Sequence, residues 1–246
     1  MHAHDMKLQG APNFRDLGGL RNAQGRVFRA GRVFRSDHLG ALTDDDVAAL
    51  QGHHPQWRVL DFRGVTERTS APCAIPRALV HSLAIEPTVV QKLSELLDAG
   101  RHVSPEHTAE LMRDTYRAFV EHNTPRFAEF FSHLLQADDT PVVFHCTAGK
   151  DRTGLAAALL LHALDVPEAT IWHDYLLTNE RLRERTRLTS ALPEPVAHVL
   201  HRVQPDFLQA ALDQVQQRHG GLDAYLRDAL RVGAAERKEL AARLLD

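Results

Sequence analysis

The sequence predicts an α/β sandwich, with a mostly parallel central sheet flanked by helices and an all-helical C-terminal third. Short apolar runs, typical of buried strands, alternate with longer segments whose apolar residues recur every three or four positions, as on one face of a helix. Strands that alternate with helices are typical of parallel sheets covered on both faces. The strand candidates are 27–29, 33–35, 57–62, 80–85 and 141–144, and the helix candidates are 109–120, 127–135 and 155–164.

Turn and cap residues support these elements. Gly25 and Gly31 precede the first two strand candidates and are predicted to form turns. Thr43 is predicted to cap a helix whose first turn, 44–46, holds three aspartates, because negative charge is favoured at a helix N-terminus. Everything after Pro167 is predicted to be helix and turn.

The composition predicts one domain that spans 1–246. With 246 residues, 43% of them hydrophobic, the chain can bury a core without a disulfide or a metal staple. No repeat or flexible linker divides it. The net charge of −3 excludes a strongly basic surface overall, so no nucleic-acid partner is expected. The 16 histidines are scattered without ligand-like spacing, and we predict no metal and no cofactor.

The number of cysteines and the N-terminal residues predict the cellular compartment. Two cysteines, Cys73 and Cys146, do not make a disulfide framework and favour a reducing compartment. No apolar run is long enough to span a membrane, and residues 1–6 lack the apolar core of a secretory signal. We predict a cytoplasmic protein, with leaderless secretion left open. These features do not determine the oligomeric state.

The segment that carries chemistry is 145–154, His-Cys-Thr-Ala-Gly-Lys-Asp-Arg-Thr-Gly, which joins a predicted strand to a predicted helix. Five residues separate Cys146 from Arg152, enough for a loop that wraps one phosphate with backbone amides and a helix N-terminus. The planar fork of Arg152 matches two phosphate oxygens. Gly149 permits a backbone geometry that a side chain would obstruct, and Gly154 permits close packing. The residues predicted to bind phosphate are Thr147, Ala148, Gly149, Lys150 and Thr153.

Cys146 is predicted to be a nucleophile. At a helix N-terminus beside Arg152, its pKa is expected to fall below the ordinary value of about 8.5. Thr153 is expected to donate a hydrogen bond to the thiolate, and His145 to hold the loop from behind. These residues predict a hydrolase that cleaves phosphate monoesters through a cysteinyl-phosphate.

Two other classes of anion-binding protein fit this loop poorly. A nucleotide-binding P-loop fits poorly, because Gly149 and Lys150 are followed by Asp151 instead of Ser or Thr. A sulfurtransferase has no evident use for Arg152 paired with Thr153. Two alternatives stay open: a phosphatase-fold module that binds phosphorylated partners without turnover, and a small-molecule phosphatase.

Several motifs together resemble one family, the atypical bacterial tyrosine and dual-specificity phosphatases, which include secreted effector phosphatases that also act on phosphoinositides. The loop 145–154 is similar to the family's signature, and the other motifs follow in the family's order along nearly the whole chain. These are Asn13–Gly19, Phe34–Asp37, Asp61-Phe62-Arg63 with Glu67, Asp174–Asn179 and Tyr225-Leu226. The sequence departs mildly from the pattern at Phe62 and at Asp165, which is predicted to take a left-handed conformation after a helix.

The resemblance implies a cysteine-phosphatase-like fold and protein-tyrosine or dual-specificity phosphatase activity, with phosphorylated proteins or phosphoinositides as partners. It assigns the general acid to Asp151, with Asp61 as the alternative. Lys150 would bind further phosphate groups or order its own loop. The stretch 181–218 stands where some members carry a helical lid, and a lid there is left open.

The remaining motif residues are assigned to support. Asn13, Arg15 and Asp16 are expected to brace the active-site wall. Arg63 and Glu67 would pair with each other or contact substrate. Cys73 is expected to be a bystander, with a redox partnership as the alternative. The aromatic content is 6% and no aromatic recognition segment stands out, so the sequence gives no sign of a deep pocket for a phenyl ring.

Overall fold

The computed structural model describes residues 6–86, 89, 96, 103–182 and 192–246. Over these residues the chain forms one five-stranded sheet with helices on both faces, which confirms the predicted fold class. The strands are β1 (Arg15–Asp16), β2 (Val33–Ser36), β3 (Arg58–Asp61), β4 (Leu79–Ser82) and β5 (Val142–His145).

The sheet has the order β1-β2-β5-β3-β4, and only the pairing of β1 with β2 is antiparallel. The central strand β5 is buried along its whole length. Its last residue, His145, is in register with Ser36 of β2 and Asp61 of β3, so three parallel strands end together. In open α/β sheets, ligands bind beyond the carboxyl ends of the strands, and the chain leaves β5 at this edge.

The helices divide between the two faces of the sheet. On one face, α1 packs over a cluster that includes Phe34 and Trp57, and the Trp57 indole donates to the Leu50 carbonyl at 3.0 Å. The larger core lies on the other face, around the almost wholly buried α5. The helices are α1 (Asp44–His53), α2 (Val65–Ser70), α3 (Pro105–His122), α4 (Thr124–Gln136), α5 (Asp151–Ala163), α6 (Glu168–Arg181), α7 (Glu194–His201), α8 (Pro205–His219), α9 (Leu222–Ala224), which continues as a π-helical turn over Tyr225–Ala229, and α10 (Ala234–Leu244).

The structure confirms two predictions made from local sequence. Thr43 caps α1 by accepting from the Asp46 amide, and the Thr43 amide donates to the Asp46 carboxylate, which completes a capping box. Asp165 has a φ of +59°, the left-handed conformation predicted after a helix. No helix in the described part of the chain is long and apolar enough to cross a membrane.

Two strand predictions need correction. The run 27–29 is not a strand, because Val27 and Phe28 make only isolated bridges, to Arg21 and Leu245. The run 80–85 is a strand only as far as Ser82, beyond which its amides still bond to carbonyls at the end of β3 and just after it, but irregularly. In both cases apolar residues face the core from irregular backbone. Of the stretch 181–218 weighed as a lid, residues 183–191 lie outside the described part.

Candidate active site

The loop predicted to hold phosphate leaves β5 at Cys146 and enters α5 at Asp151. Gly149 has a φ of +65°, and a Cβ atom there would lie 2.3 Å from the Ser36 carbonyl oxygen. Only glycine fits this position, as predicted. At Gly154 a Cβ atom would lie 3.0 Å from the Tyr175 ring, so this glycine also permits close packing.

The loop is held from behind through its carbonyl groups. The Asn13 side-chain amide donates to the carbonyl oxygens of Ala148 and Gly149 at 2.9 and 3.1 Å, and Arg35 Nη2 donates to Gly149 at 2.9 Å. In a trans peptide unit the N–H points away from the C=O. The amides that follow these carbonyls therefore point away from the supports, as a phosphate-binding loop requires.

Behind these supports, two arginines share one carboxylate. Arg15 Nε lies 2.9 Å from Asp174 Oδ1, and Arg35 Nη1 lies 2.5 Å from Asp174 Oδ2. Burial raises the pKa of Asp174, but the charges of Arg15 and Arg35 outweigh it and bring the pKa to about 2. Burial, then the charge of Arg35, lower the pKa of Arg15 to about 10, which leaves it protonated at neutral pH. Asn13 and Arg15 thus act as the predicted braces, whereas Asp16 bonds to the backbone of Gly18 and Gly31.

His145 is fully buried beneath the loop. Its Nδ1 lies 3.1 Å from the Cys146 carbonyl oxygen, and its Nε2 lies 3.6 Å from Asp61 Oδ2. Burial lowers the pKa of His145 to about 4, so the ring is neutral at pH 7 and can donate from Nδ1 to the Cys146 carbonyl.

Asp61, the alternative general acid, is bound to Arg63 at 2.7 Å and is 1% exposed. Burial raises the pKa of Asp61, but His145 and the bonds from Arg63 outweigh it and lower the pKa. Asp61 does not line the cavity described below. The ion pair between Arg63 and Glu67 left open by the sequence is not formed, because each has another partner.

A cavity of about 460 Å³ opens over the loop. Cys146, Asp151 and Arg152 line it together, so the three predicted catalytic residues share one site. The low aromatic content gave no sign of this cavity, because separate elements supply its apolar wall. The wall residues are Val89, Met112, Phe119, Leu182 and Leu200.

Arg152 is oriented by Glu67, whose role the sequence left undecided. Nη1 and Nη2 of Arg152 bond to the two Glu67 oxygens at 2.7 and 2.9 Å, and Nη1 also donates to the Phe62 and Ile85 carbonyls. Burial lowers the pKa of Arg152, but the hydrogen bonds with Glu67 and the negative charges of Cys146 and Glu67 outweigh it, and the net pKa is raised.

One edge of the Arg152 guanidinium stays free of described acceptors. Nε and the second hydrogen of Nη2 bond to no residue in the described ranges. These two N–H groups are parallel, which is the geometry of a bidentate bond to two phosphate oxygens. Burial raises the pKa of Glu67, but its bonds from Arg152 outweigh this and bring the pKa to about 2, so Glu67 stays charged.

The two threonines of the loop are placed differently. Thr147 is exposed and its hydroxyl donates to Glu67 Oε1. Thr153 is fully buried, and its hydroxyl bonds to no residue that the structure describes. The predicted bond from Thr153 to the Cys146 sulfur is therefore not formed here, although no other described group uses the hydroxyl.

Lys150 extends from the loop to the end of α7. Its ammonium donates to the Leu200 carbonyl at 2.6 Å and the Arg202 carbonyl at 3.4 Å, and lies 3.4 Å from Asp151 Oδ2. A positive charge at the C-terminal end of a helix is favourable. Lys150 therefore ties the active-site loop to the segment that supplies Leu200 to the cavity wall.

Two buried tyrosines complete the site, and sequence reasoning missed both. The Tyr116 hydroxyl donates to Asp151 Oδ1 at 2.9 Å and lies 2.8 Å from the Tyr175 hydroxyl. In the sequence, Tyr116 belongs to the periodic pattern of a helix and carries no signal of its own. Only the family motif 174–179, which includes Tyr175, pointed to this part of the chain.

Cys73 and Cys146 are both free thiols. Cys73 packs against the apolar cluster around Trp57, and burial raises its pKa. A thiol in this state is a poor nucleophile, which supports the bystander role.

The site and fold agree with the comparisons with known proteins. A model of the tyrosine phosphatase family matches residues 6–246. A Cupriavidus necator protein provisionally named a tyrosine-protein phosphatase is 33% identical, over 95% of this chain and 86% of that protein. The triple specificity protein phosphatase PtpB of Mycobacterium tuberculosis is 30% identical, over 91% of this chain and 93% of its own. A Nostoc commune tyrosine-protein phosphatase is 28% identical, over 85% and 73%. The chain therefore belongs to the tyrosine phosphatase family and is a cysteine-dependent phosphatase of the atypical bacterial kind.

Proposed function

We propose that this protein hydrolyses phosphate monoesters on phosphotyrosine proteins through a cysteinyl-phosphate intermediate, without a cofactor. The observation that carries the proposal is the shared cavity of Cys146, Asp151 and Arg152. In this cavity a nucleophile, a proton donor and a cation with a free bidentate edge can all act on one phosphate group of the substrate.

In the first step, the Cys146 thiolate attacks phosphorus while Arg152 and the loop amides bind the other phosphate oxygens. The bond between phosphorus and the leaving oxygen breaks as the S–P bond forms. Asp151 gives its proton to the leaving oxygen, which departs as an alcohol or phenol. The developing charge is stabilised by donors already fixed in place.

In the second step, water attacks the cysteinyl-phosphate. The Asp151 carboxylate accepts a proton from the water, the S–P bond breaks, and inorganic phosphate leaves. The same aspartate therefore acts first as an acid and then as a base, as two-step ester hydrolysis requires.

The proposed substrate range extends to phosphoserine, phosphothreonine and phosphoinositides. One relative is named a triple specificity phosphatase, which supports breadth in this chain. The apolar cavity wall suits a phenyl ring and puts phosphotyrosine first. Lys150 is proposed to add a second cation for multiply phosphorylated substrates. The predicted cytoplasmic location remains a prediction.

The decisive experiment is hydrolysis of p-nitrophenyl phosphate and a phosphotyrosine peptide, with rapid acid quenching to trap phosphate on the enzyme. We expect a burst of product and one phosphate bound through Cys146. A phosphatase-fold module that only binds would show no turnover, and hydrolysis without a trapped phosphate that depends on Cys146 would overturn the covalent route. Turnover of small phosphorylated metabolites alone would favour a small-molecule phosphatase.

A further inference from the structure

Asp151 has two carboxylate oxygens in different surroundings. Oδ1 accepts the Tyr116 hydroxyl bond at 2.9 Å, whereas Oδ2 accepts no hydrogen bond from the residues that the structure describes and lies 3.4 Å from the Lys150 ammonium. Tyr116 is fully buried on α3, and Asp151 is the first residue of α5. A rigid helix therefore holds one oxygen of a carboxylate that lines the cavity.

The hydrogen atoms of the two tyrosines can be assigned in one order. A carboxylate only accepts, so the single Tyr116 hydroxyl hydrogen goes to Asp151. The 2.8 Å contact between Tyr116 and Tyr175 is then donated by Tyr175. The Tyr175 hydroxyl also lies 3.3 Å from the Gln204 carbonyl, and this longer hydrogen bond is the weaker of the two. The hydrogen bonds therefore run from Tyr175 to Tyr116 and from Tyr116 to Asp151.

We propose that Tyr116 is a positioning residue for the reaction, which fixes the Asp151 carboxylate with Oδ2 toward the substrate and stabilises it after proton transfer. This inference rests on the proposed role of Asp151 as the general acid. As Asp151 loses its proton, the bond from Tyr116 becomes a bond to an anion, and such bonds are stronger than those to neutral groups. Tyr116 therefore helps more in the transition state than in the ground state.

Tyr116 suits this role because it remains a donor. Burial and the charge of Asp151 raise the pKa of Tyr116 well above its ordinary value, so the hydroxyl keeps its hydrogen throughout the working pH range. The charged and titratable groups placed around Asp151 by the described contacts are Lys150, Arg152, Tyr116 and Tyr175.

The test uses Tyr116→Phe, which removes one oxygen, on p-nitrophenyl phosphate and on phenyl phosphate, whose leaving group is poorer. We expect kcat to fall about tenfold more for phenyl phosphate, as loss of one hydrogen bond to a charged group implies. KM should change little. The alkaline fall of activity should move to higher pH, because the carboxylate has lost a stabilising donor.

The chain contains only three tyrosines, and the third supplies a matched control. Tyr225 is equally buried, and its hydroxyl bonds to Thr124 at 2.8 Å, away from the cavity. Tyr225→Phe should lower thermal stability as much as Tyr116→Phe does without changing leaving-group dependence. Matching kinetic profiles for the two variants would reduce Tyr116 to a structural residue and overturn the proposal.

Asp151→Asn, alone and combined with Tyr116→Phe, separates this inference from the proposed function. If Asp151→Asn shows strong leaving-group dependence and Tyr116→Phe adds nothing to it, Tyr116 acts through Asp151. If Asp151→Asn behaves as expected but Tyr116→Phe keeps the normal dependence and pH profile, only the role of Tyr116 fails. If Asp151→Asn itself keeps the normal dependence, the acid assignment fails and this inference with it.

Discussion

Two arginine–carboxylate systems flank the active-site loop, and they differ in what they leave open. Behind the loop, Arg15 and Arg35 share Asp174, and all three side chains are at most 8% exposed. On the cavity side, Arg152 is bound by Glu67, which is 19% exposed, and one guanidinium edge has no described acceptor.

The difference distinguishes a cluster that supports the loop from a pair that can act on substrate. The sealed cluster has no access to a ligand, and a buried ion pair contributes little net stability although breaking it is costly. It can serve only by holding Asn13, Gly149 and the loop in place. The cavity-side pair uses a carboxylate to orient a cation whose remaining hydrogens match a phosphate. Changes behind the loop should therefore affect stability first, and changes in the cavity should affect activity first.

The largest effect is expected for Cys146→Ser, on the cavity side. Turnover of p-nitrophenyl phosphate should fall by about a thousandfold or more, because a serine hydroxyl is a far weaker nucleophile without an adjacent base. Thermal stability should be unchanged, and vanadate or phosphate should still bind, since Arg152 and the loop amides remain. Substantial residual activity would refute the covalent mechanism.

Asp174→Asn should produce the opposite pattern. Two buried arginines would lose their counter-charge, so the free energy of unfolding should fall by about 3–5 kcal/mol, measured by urea denaturation. Because the pKa of Asp174 is about 2 in the folded protein, below its ordinary 3.8, the part of this stability that comes from the Asp174 charge is present above about pH 4 and lost as the pH falls toward 2.

Glu67→Gln is the matched variant on the cavity side. It removes the charge that orients Arg152 but leaves an amide that still bonds to it. We expect a loss of activity larger than the loss of stability. A Glu67→Gln enzyme that unfolds as readily as Asp174→Asn, with normal activity per folded molecule, would remove the distinction between the two systems.

The sequence predicted the loop because its chemistry is local. Cys146, Gly149 and Arg152 lie within seven positions, between a strand and a helix that their own apolar patterns predict. The partners of this loop could not be predicted from spacing. Glu67 meets Arg152 across 85 positions, and Tyr116 meets Asp151 across 35. Such pairs depend on how helices pack after the chain has folded.

Backbone partners were harder still to foresee. Lys150 bonds to the carbonyls of Leu200 and Arg202, and every residue has a carbonyl, so no side chain marked this contact in advance. The cavity wall was missed for a related reason. Phe119 and Met112 belong to the periodic apolar pattern of a helix, which does not distinguish a core face from a pocket wall.

The buried ring of His145, which lies behind the loop, makes the stability of the folded protein depend on pH. Its folded pKa of about 4 lies below the ordinary 6.5, so between these values the unfolded chain binds a proton that the folded protein does not. Stability should therefore fall by about 3 kcal/mol as the pH drops from 6.5 to 4. In His145→Gln this part of the pH dependence should disappear, and an unchanged slope in urea denaturation would contradict the assignment.

Lys150 lines the cavity and also bonds to the end of α7, and its removal decides whether it serves substrate binding or the cavity wall. If it contacts a second phosphate of the substrate, Lys150→Ala should impair phosphoinositide hydrolysis about tenfold or more beyond p-nitrophenyl phosphate hydrolysis, as expected for one lost charge-assisted bond of roughly 1.5–3 kcal/mol. The measurement is kcat/KM for both substrates in wild type and variant.

The ligand-free geometry gives the competing expectation. The Lys150 ammonium already has the Leu200 and Arg202 carbonyls and Asp151 as neighbours, so it needs no phosphate to be satisfied. As an anchor of the cavity wall it would affect both substrates equally, and Lys150→Ala would also expose the segment after α7 to proteolysis. Equal losses with faster cleavage there would assign Lys150 to the wall and remove the support it gives to phosphoinositide hydrolysis.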